Sequence, residues 1–153
     1  MHKPISEKEI EKIYLDLLEH MESSLGNDIT FSNDLEKLGS QILGNKFKGV
    51  FASDKIPKLD KLKPYAILNL DNSRQPGSHW IAIAHLNDSS AMIYDSFGRK
   101  SEKIIPAALN VYNKVVDTQY DAEQHKSEDN CGQRSLAWLF LFDQYGPRSA
   151  WKV

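Results

Sequence analysis

The hydrophobic period changes near residue 50, and that change separates a helical first part of the chain from the start of a sheet. Before it, Ser6 followed three residues later by Glu9 is a capping-box signal, and Ile10, Ile13, Tyr14, Leu17, Leu18 and Met21 recur at helical spacing. A first helix over about residues 6–24 is expected. Gly26-Asn27-Asp28 breaks it, and Leu35, Leu38, Ile42 and Leu43 predict a shorter second helix, capped by Ser32 or Asn33, stopped at Gly44-Asn45 and weakened by Gly39. From Val50 the apolar residues come in short runs, Val50–Ala52, Tyr65–Leu70, His79–Leu86 and Ala91–Asp95, each bounded by turn formers. These read as strands. The last two, separated only by Asn87-Asp88-Ser89-Ser90, form an antiparallel hairpin.

Beyond Ser96-Phe97-Gly98, the positions Ile105, Ala108, Leu109, Tyr112 and Val116 share one helical face, with Pro106 tolerated in the first turn. Val115–Tyr120 is a candidate strand and Asp121–Asp129 a polar loop. Leu136–Phe142 is apolar on every side and fits strand or helix; Ala137 and the longer span Cys131–Tyr145, stopped by Gly146-Pro147, favour a buried helix. The expectation is an α+β fold with a central, mainly antiparallel sheet flanked by helices. A chain of 153 residues has room for one such core, so a single domain over 1–153 is expected, with a helical part at 1–45 and the sheet and last helix in 46–153.

Composition removes several function classes. With 41% hydrophobic and 26% charged residues the chain has the profile of a packed domain and not of a disordered one. Its longest apolar run falls far short of the roughly 20 residues that cross a bilayer, and no signal sequence precedes Ser6, so neither a membrane nor a secretory role is expected. The lone cysteine, Cys131, excludes an internal disulfide and a cysteine-rich metal site. No HExxH, GxGxxG or GxxxxGK[ST] pattern is present, so no metal, nucleotide or other cofactor is expected. Charge is segregated: residues 1–45 hold nine acids and four bases, whereas 46–63 hold Lys46, Lys48, Lys55, Lys58, Lys61 and Lys63 against Asp54 and Asp60. The lysines form either a solvated connector or a weak contact for DNA or another polyanion; no stacking aromatics accompany them.

Thiol chemistry needs a thiolate, an adjacent base oriented by a third group, and donors aimed at an oxyanion. Cys131 falls where the polar loop turns into the last helix, a position at which the dipole and unpaired N–H groups favour a thiolate. It is a candidate nucleophile; the alternative is a small buried residue. Of the five histidines, His2 and His20 lie in the polar N-terminal part, His125 in the loop, and His79 and His85 on one strand. His79 opens the strand and Asp95 closes its hairpin partner, which places both side chains at the open end of the hairpin, on one face and nearly opposite. His85, on the same face but beside the turn and about 20 Å away at ~3.3 Å per residue, reads as a surface or a satisfied structural histidine. A His79–Asp95 pair alone is also compatible with a surface ion pair. Trp80 points to the face opposite His79, and Trp138, Phe140 and Phe142 read as core.

The order His, Asp, Cys in these contexts resembles a known family. Gly49-Val50-Phe51-Ala52-Ser53-Asp54, Gly77-Ser78-His79-Trp80, Tyr94-Asp95-Ser96-Phe97-Gly98 and Asn130-Cys131-Gly132 are similar to the adenovirus protease (adenain-like) family and, more distantly, to the ubiquitin-like-protein-specific cysteine proteases. The matching stretch runs from about Phe47 to Tyr145. The resemblance implies a papain-like or adenain-like cysteine protease fold with Cys131 as nucleophile, His79 as general base and Asp95 as its orienter. Gln124, seven residues ahead of Cys131, would then be an oxyanion donor. Asp95 stands where the adenovirus enzymes carry glutamate, and the second cysteine that tethers their activating peptide is absent, so a peptide or polyanion activator would not be disulfide-linked. Trp80 keeps the family's tryptophan after the histidine and, by the same resemblance, borders a narrow substrate channel that admits glycine. The implied function is an endopeptidase that cuts Gly-containing sites during maturation of viral capsid or precursor proteins, as in virophages, polinton-like elements and large DNA viruses, in the virion or the host cytoplasm. A protease of ubiquitin-like modifiers and an inactive protein-binding member of the same fold are the alternatives.

Overall fold

The computed structural model describes residues 6–27, 30–70, 79–87, 89–119 and 129–153. Its first helix, α1 (Glu7–Leu25), begins where the sequence signals it, with the Ser6 hydroxyl accepting from the Glu9 amide and donating to the Glu9 carboxylate. Ile10, Tyr14, Leu18 and Met21 form its buried stripe. Helix α2 (Ser32–Leu43) starts one residue earlier than a Ser32 or Asn33 cap allows. Phe31 is the N-cap and no side chain caps the turn, so Ser32 is the first helical residue.

A five-stranded sheet follows in the spatial order β1 (Phe47–Ala52), β2 (Tyr65–Asn69), β3 (Trp80–Asn87), β4 (Ser90–Tyr94) and β5 (Lys114–Asp117). The fold is α+β with helices flanking the sheet, and the sheet is mixed. β2, β3 and β4 are antiparallel neighbours, whereas β1 joins β2 and β5 joins β4 in parallel. The parallel edges follow from long connections. Residues 53–64 and 95–113 give the chain enough length to cross back over the sheet, which a tight hairpin cannot do.

The second connection corrects the expected third helix. A single helix through Ile105, Tyr112 and Val116 does not form. Instead a short helix, α3 (Ser101–Ile104), is followed by a 3-10 turn over Pro106–Asn110, and Val116 belongs to β5. Ile105 breaks the two at φ −146°, ψ 64°, because the proline ring excludes the α conformation from the residue before it. Helix α4 (Cys131–Tyr145) spans the expected range and is buried on every side from Cys131 to Leu139; a short α5 (Pro147–Trp151) follows it.

The sheet is covered on both faces, which explains its continuous apolar runs. Trp80, Ala82, Ala84, Met92 and Tyr94 pack with Tyr14, Leu35, Leu136 and Trp138 of the helical layer. The alternate residues Ile81, Ile83, Ala91 and Ile93 pack with Leu59, Ile105, Ala108 and Tyr112 of the two connections. The Tyr112 hydroxyl pins the 53–64 connection by donating to the Pro57 carbonyl at 2.7 Å and accepting from the Leu59 amide at 2.9 Å.

Gly39, which weakens α2 as a helix, has a packing reason. A Cβ placed there would stand 2.5 Å from the Phe47 ring of β1, closer than any real contact. Gly39→Ala is therefore expected to lower stability by roughly 1–3 kcal/mol despite alanine's better helix propensity, and Phe47→Leu in the same chain should recover part of the loss. Urea unfolding of the two variants checks this; a more stable Gly39→Ala protein would mean that α2 can retreat from β1.

Candidate active site

The open end of the β3–β4 hairpin meets the start of α4, and His79, Asp95 and Cys131 come together there. Extending the register of the hairpin, in which Ala82 pairs with Tyr94 and His85 with Ala91, sets His79 opposite Phe97 and Asp95 opposite Ile81. The two residues are thus offset diagonally and not directly opposed as the sequence midpoint suggests; the register slips between His85 and Asn87, next to the Asn87–Ser90 pair that ends the ladder. They still share a face, and diagonal neighbours on one face remain within reach. His79 Nε2 lies 2.7 Å from Asp95 Oδ1, while the Phe97 ring stacks on the imidazole at 4.7 Å.

The turn after β4 is wrapped around its own carboxylate. The Phe97 amide donates to Oδ1 of Asp95 at 3.2 Å, the Arg99 amide to Oδ2 at 3.1 Å, and the Gly98 amide to the Asp95 carbonyl at 2.8 Å. Gly98 takes φ 70°, which this closure requires and which glycine adopts without strain. The guanidinium of Arg99 adds Nε at 2.8 Å from Oδ2 and Nη2 at 3.4 Å from Oδ1. Arg99 is a member of the site that periodicity could not reveal, since it lies in a turn and carries no pattern of its own.

Trp80 joins the sheet to helix α4. Its amide donates to Cys131 Sγ at 3.3 Å, its carbonyl accepts from the Ser135 hydroxyl at 3.3 Å, and its indole N–H donates to the Thr30 carbonyl at 3.1 Å. The ring itself is buried in the core beneath the site. Gly132 follows the cysteine for a steric reason: a Cβ there would fall 2.2 Å from the Thr30 hydroxyl and 2.9 Å from Leu35, so the 30–35 segment approaches the helix only over glycine. Asn130 is the N-cap of α4, yet its side chain makes no cap hydrogen bond. Its Oδ1 accepts instead from Arg134 Nε at 3.1 Å, and Arg134 Nη1 donates to the Tyr14 hydroxyl, which is 2.5 Å from that of Tyr94. This buried chain ties α1 to the residues just before Cys131 and Asp95. The Cys131 amide, at the first helical position, has no intrahelical acceptor.

The electrostatics follow from the contacts. Burial alone would favour neutral imidazole at His79, but the hydrogen bond to Asp95, the nearby Cys131 sulfur and the charge of the carboxylate outweigh it and raise the pKa above its ordinary 6.5. Burial likewise opposes the Asp95 carboxylate, and the hydrogen bonds and charges of His79 and Arg99 overcome it, holding the group at about 2. With Nε2 paired to the carboxylate, Nδ1 is the ring nitrogen turned away from Asp95.

Other candidates lie apart from this cluster or outside the described residues. Gln124 falls outside them, as do His2 and His125. His85 is buried within β3, six residues from His79. All six lysines of 46–63 are exposed; Lys46 pairs with Asp143 at 3.0 Å, and Lys48 and Lys63 donate to the Lys58 and Asn45 carbonyls. Among the described residues no group of three or more His, Cys, Asp or Glu is placed to hold a metal ion, and no helix is long and apolar enough to cross a membrane. No protein-family model matches the sequence, and no curated protein matches it. The geometry of the site therefore carries the functional argument.

The Asp95 network predicts a pH-dependent stability. A carboxylate depressed from 3.8 to about 2 stabilises the fold above its unfolded value and loses that contribution as pH falls toward 2. His79, raised above 6.5, contributes below that value and loses its share as pH rises through the folded pKa. The stability gap between the wild-type chain and Asp95→Asn should therefore be widest between pH 4 and 6.5, at roughly 2 kcal/mol, and narrow on both sides. Urea unfolding across pH 2–9 reads it, and a gap that stays constant would rule out the ion pair.

Proposed function

We propose that this protein is a cysteine endopeptidase in which Cys131 is the nucleophile, His79 the general acid and base, and Asp95 its orienter. The observation that carries the reading is one buried imidazole bonded to a carboxylate at 2.7 Å, in the residue before Trp80, whose amide reaches the only thiol of the chain at 3.3 Å in the first turn of a helix. In the reaction the thiolate adds to the scissile carbonyl while His79 is imidazolium. The oxyanion that develops is met by the Cys131 amide and, as the family resemblance implies, by the side-chain amide of Gln124. His79 then passes the proton from Nδ1 to the leaving amine, and the same nitrogen activates water to hydrolyse the thioester. Asp95 holds the ring in one tautomer throughout and does not itself take the proton.

The substrates proposed are extended segments with glycine near the scissile bond, in viral capsid or precursor proteins processed inside the host cell or the virion. Glycine there lets the backbone approach closely enough for the carbonyl to reach the oxyanion donors. No disulfide-linked activator is involved, because the one thiol is the nucleophile. A polyanion, if it acts, does so through the lysines of 46–63.

Cleavage of Gly-Gly and Gly-Xaa-Gly peptides, of capsid precursors and of ubiquitin-like precursors tests the reading, with cut sites mapped by mass spectrometry. Cys131→Ala and His79→Ala should abolish turnover and leave the fold intact, Asp95→Asn should be milder, and Gln124→Ala should cost ~10²–10³ in rate. Cleavage by Cys131→Ala at the wild-type rate would overturn the mechanism. Cleavage of folded ubiquitin-like precursors alone would replace the capsid substrate with a modifier.

A further inference from the structure

Asp95 receives more donors than orienting an imidazole requires. Its side chain is 1% exposed, and besides His79 it binds both the amide and the guanidinium of Arg99. The guanidinium is not needed to close the turn, since the backbone amides of Phe97, Gly98 and Arg99 already do so. Nor is it held there by burial, because the Arg99 side chain is 44% exposed. It also lies 5.1 Å from the centre of the Phe97 ring, whose plane stacks within 23° of the imidazole. Arg99 thus touches both the hydrogen-bond partner of His79 and its stacking neighbour.

A carboxylate shared with a guanidinium has less charge to lend an imidazolium, and the guanidinium's own charge opposes that of the ring. Among the described residues, the ionisable groups that bear on His79 are Asp95 beyond the end of β4 and Cys131 of α4, and Arg99 bears on Asp95. Without Arg99 the imidazole would hold its proton more tightly. A general acid that must release a proton to the leaving amine gains nothing from that.

Resting on the peptidase reading above, we propose that Arg99 is a positioning residue. By sharing the Asp95 carboxylate with His79 and closing the stack over Phe97, it holds the imidazole in plane and limits the charge that the carboxylate lends it. The test is the titration of His79 by NMR in the full chain, as wild type, Arg99→Gln and Arg99→Lys. Glutamine removes the charge, and lysine keeps the charge without the fork. The His79 midpoint should rise by about half a unit or more in Arg99→Gln and by less in Arg99→Lys. The basic limb of the kcat/KM profile should move with it, with kcat reduced and KM little changed. A midpoint that is the same in all three proteins overturns the proposal, as does a loss of thermal stability with no shift in midpoint, which is what a purely structural clamp would give. If Arg99→Gln does not fold, the presence or absence of a shift in Arg99→Lys decides. The titration needs no turnover, so a chain that cleaves nothing would remove the peptidase reading and leave the role of Arg99 at His79 separately measured.

Discussion

The peptide of Trp80 is the joint on which the site depends. Its N–H reaches the sulfur of Cys131, its carbonyl takes the hydroxyl of Ser135 one helical turn later, and its indole reaches back to the Thr30 carbonyl. These contacts lock the start of α4 and the segment before α2 to the first residue of β3. His79 is the residue immediately before, so its ring is placed beside the thiol by covalent connection to the joint. Gly132 completes the fit, since any side chain there would separate α4 from Thr30 and Leu35.

Burial makes the polar part of the site demanding. A carboxylate out of water is costly unless every lone pair has a donor, and Asp95 meets that condition with its own turn, with His79 and with Arg99. The same low exposure strengthens the coupling between Asp95 and His79, so an otherwise ordinary ion pair displaces both groups from their usual titration ranges. Stability and protonation are therefore linked at one carboxylate: what holds the turn after β4 together also bears on the proton affinity of the imidazole.

Much of this was legible in the sequence where one local rule acts without competition. Helix α1 follows from its capping box and stripe, and α4 from Ala137 and the long span Cys131–Tyr145 stopped by Gly146-Pro147. The meeting of His79 and Asp95 followed from strand parity, but their diagonal offset did not, because the midpoint argument centres the turn on residue 87, whereas the hairpin closes on the Asn87–Ser90 pair and slips by one residue between His85 and Asn87. The break at Ile105 was available from Pro106, and the apolar spacing of Ile105, Ala108 and Tyr112 masked it; those residues pack on the sheet from a 3-10 turn and its two flanks as well as they would from a helix. The parallel edges, Arg99 and the Tyr14–Arg134–Asn130 chain depend on which distant segments pack together, and no local pattern encodes that.

The central claim is that the imidazole of His79 activates the Cys131 thiol. The most direct measurement is the rate at which a glycine-terminated electrophilic peptide labels the protein, followed by intact mass and compared between the wild-type chain and His79→Ala. The account predicts a single adduct, on Cys131, forming at least ~10²-fold faster in the wild type, in keeping with the usual contribution of a positioned base. Equal labelling rates in the two proteins would contradict it, because they would mean that the sulfur reacts as an ordinary thiol with no help from the ring beside it.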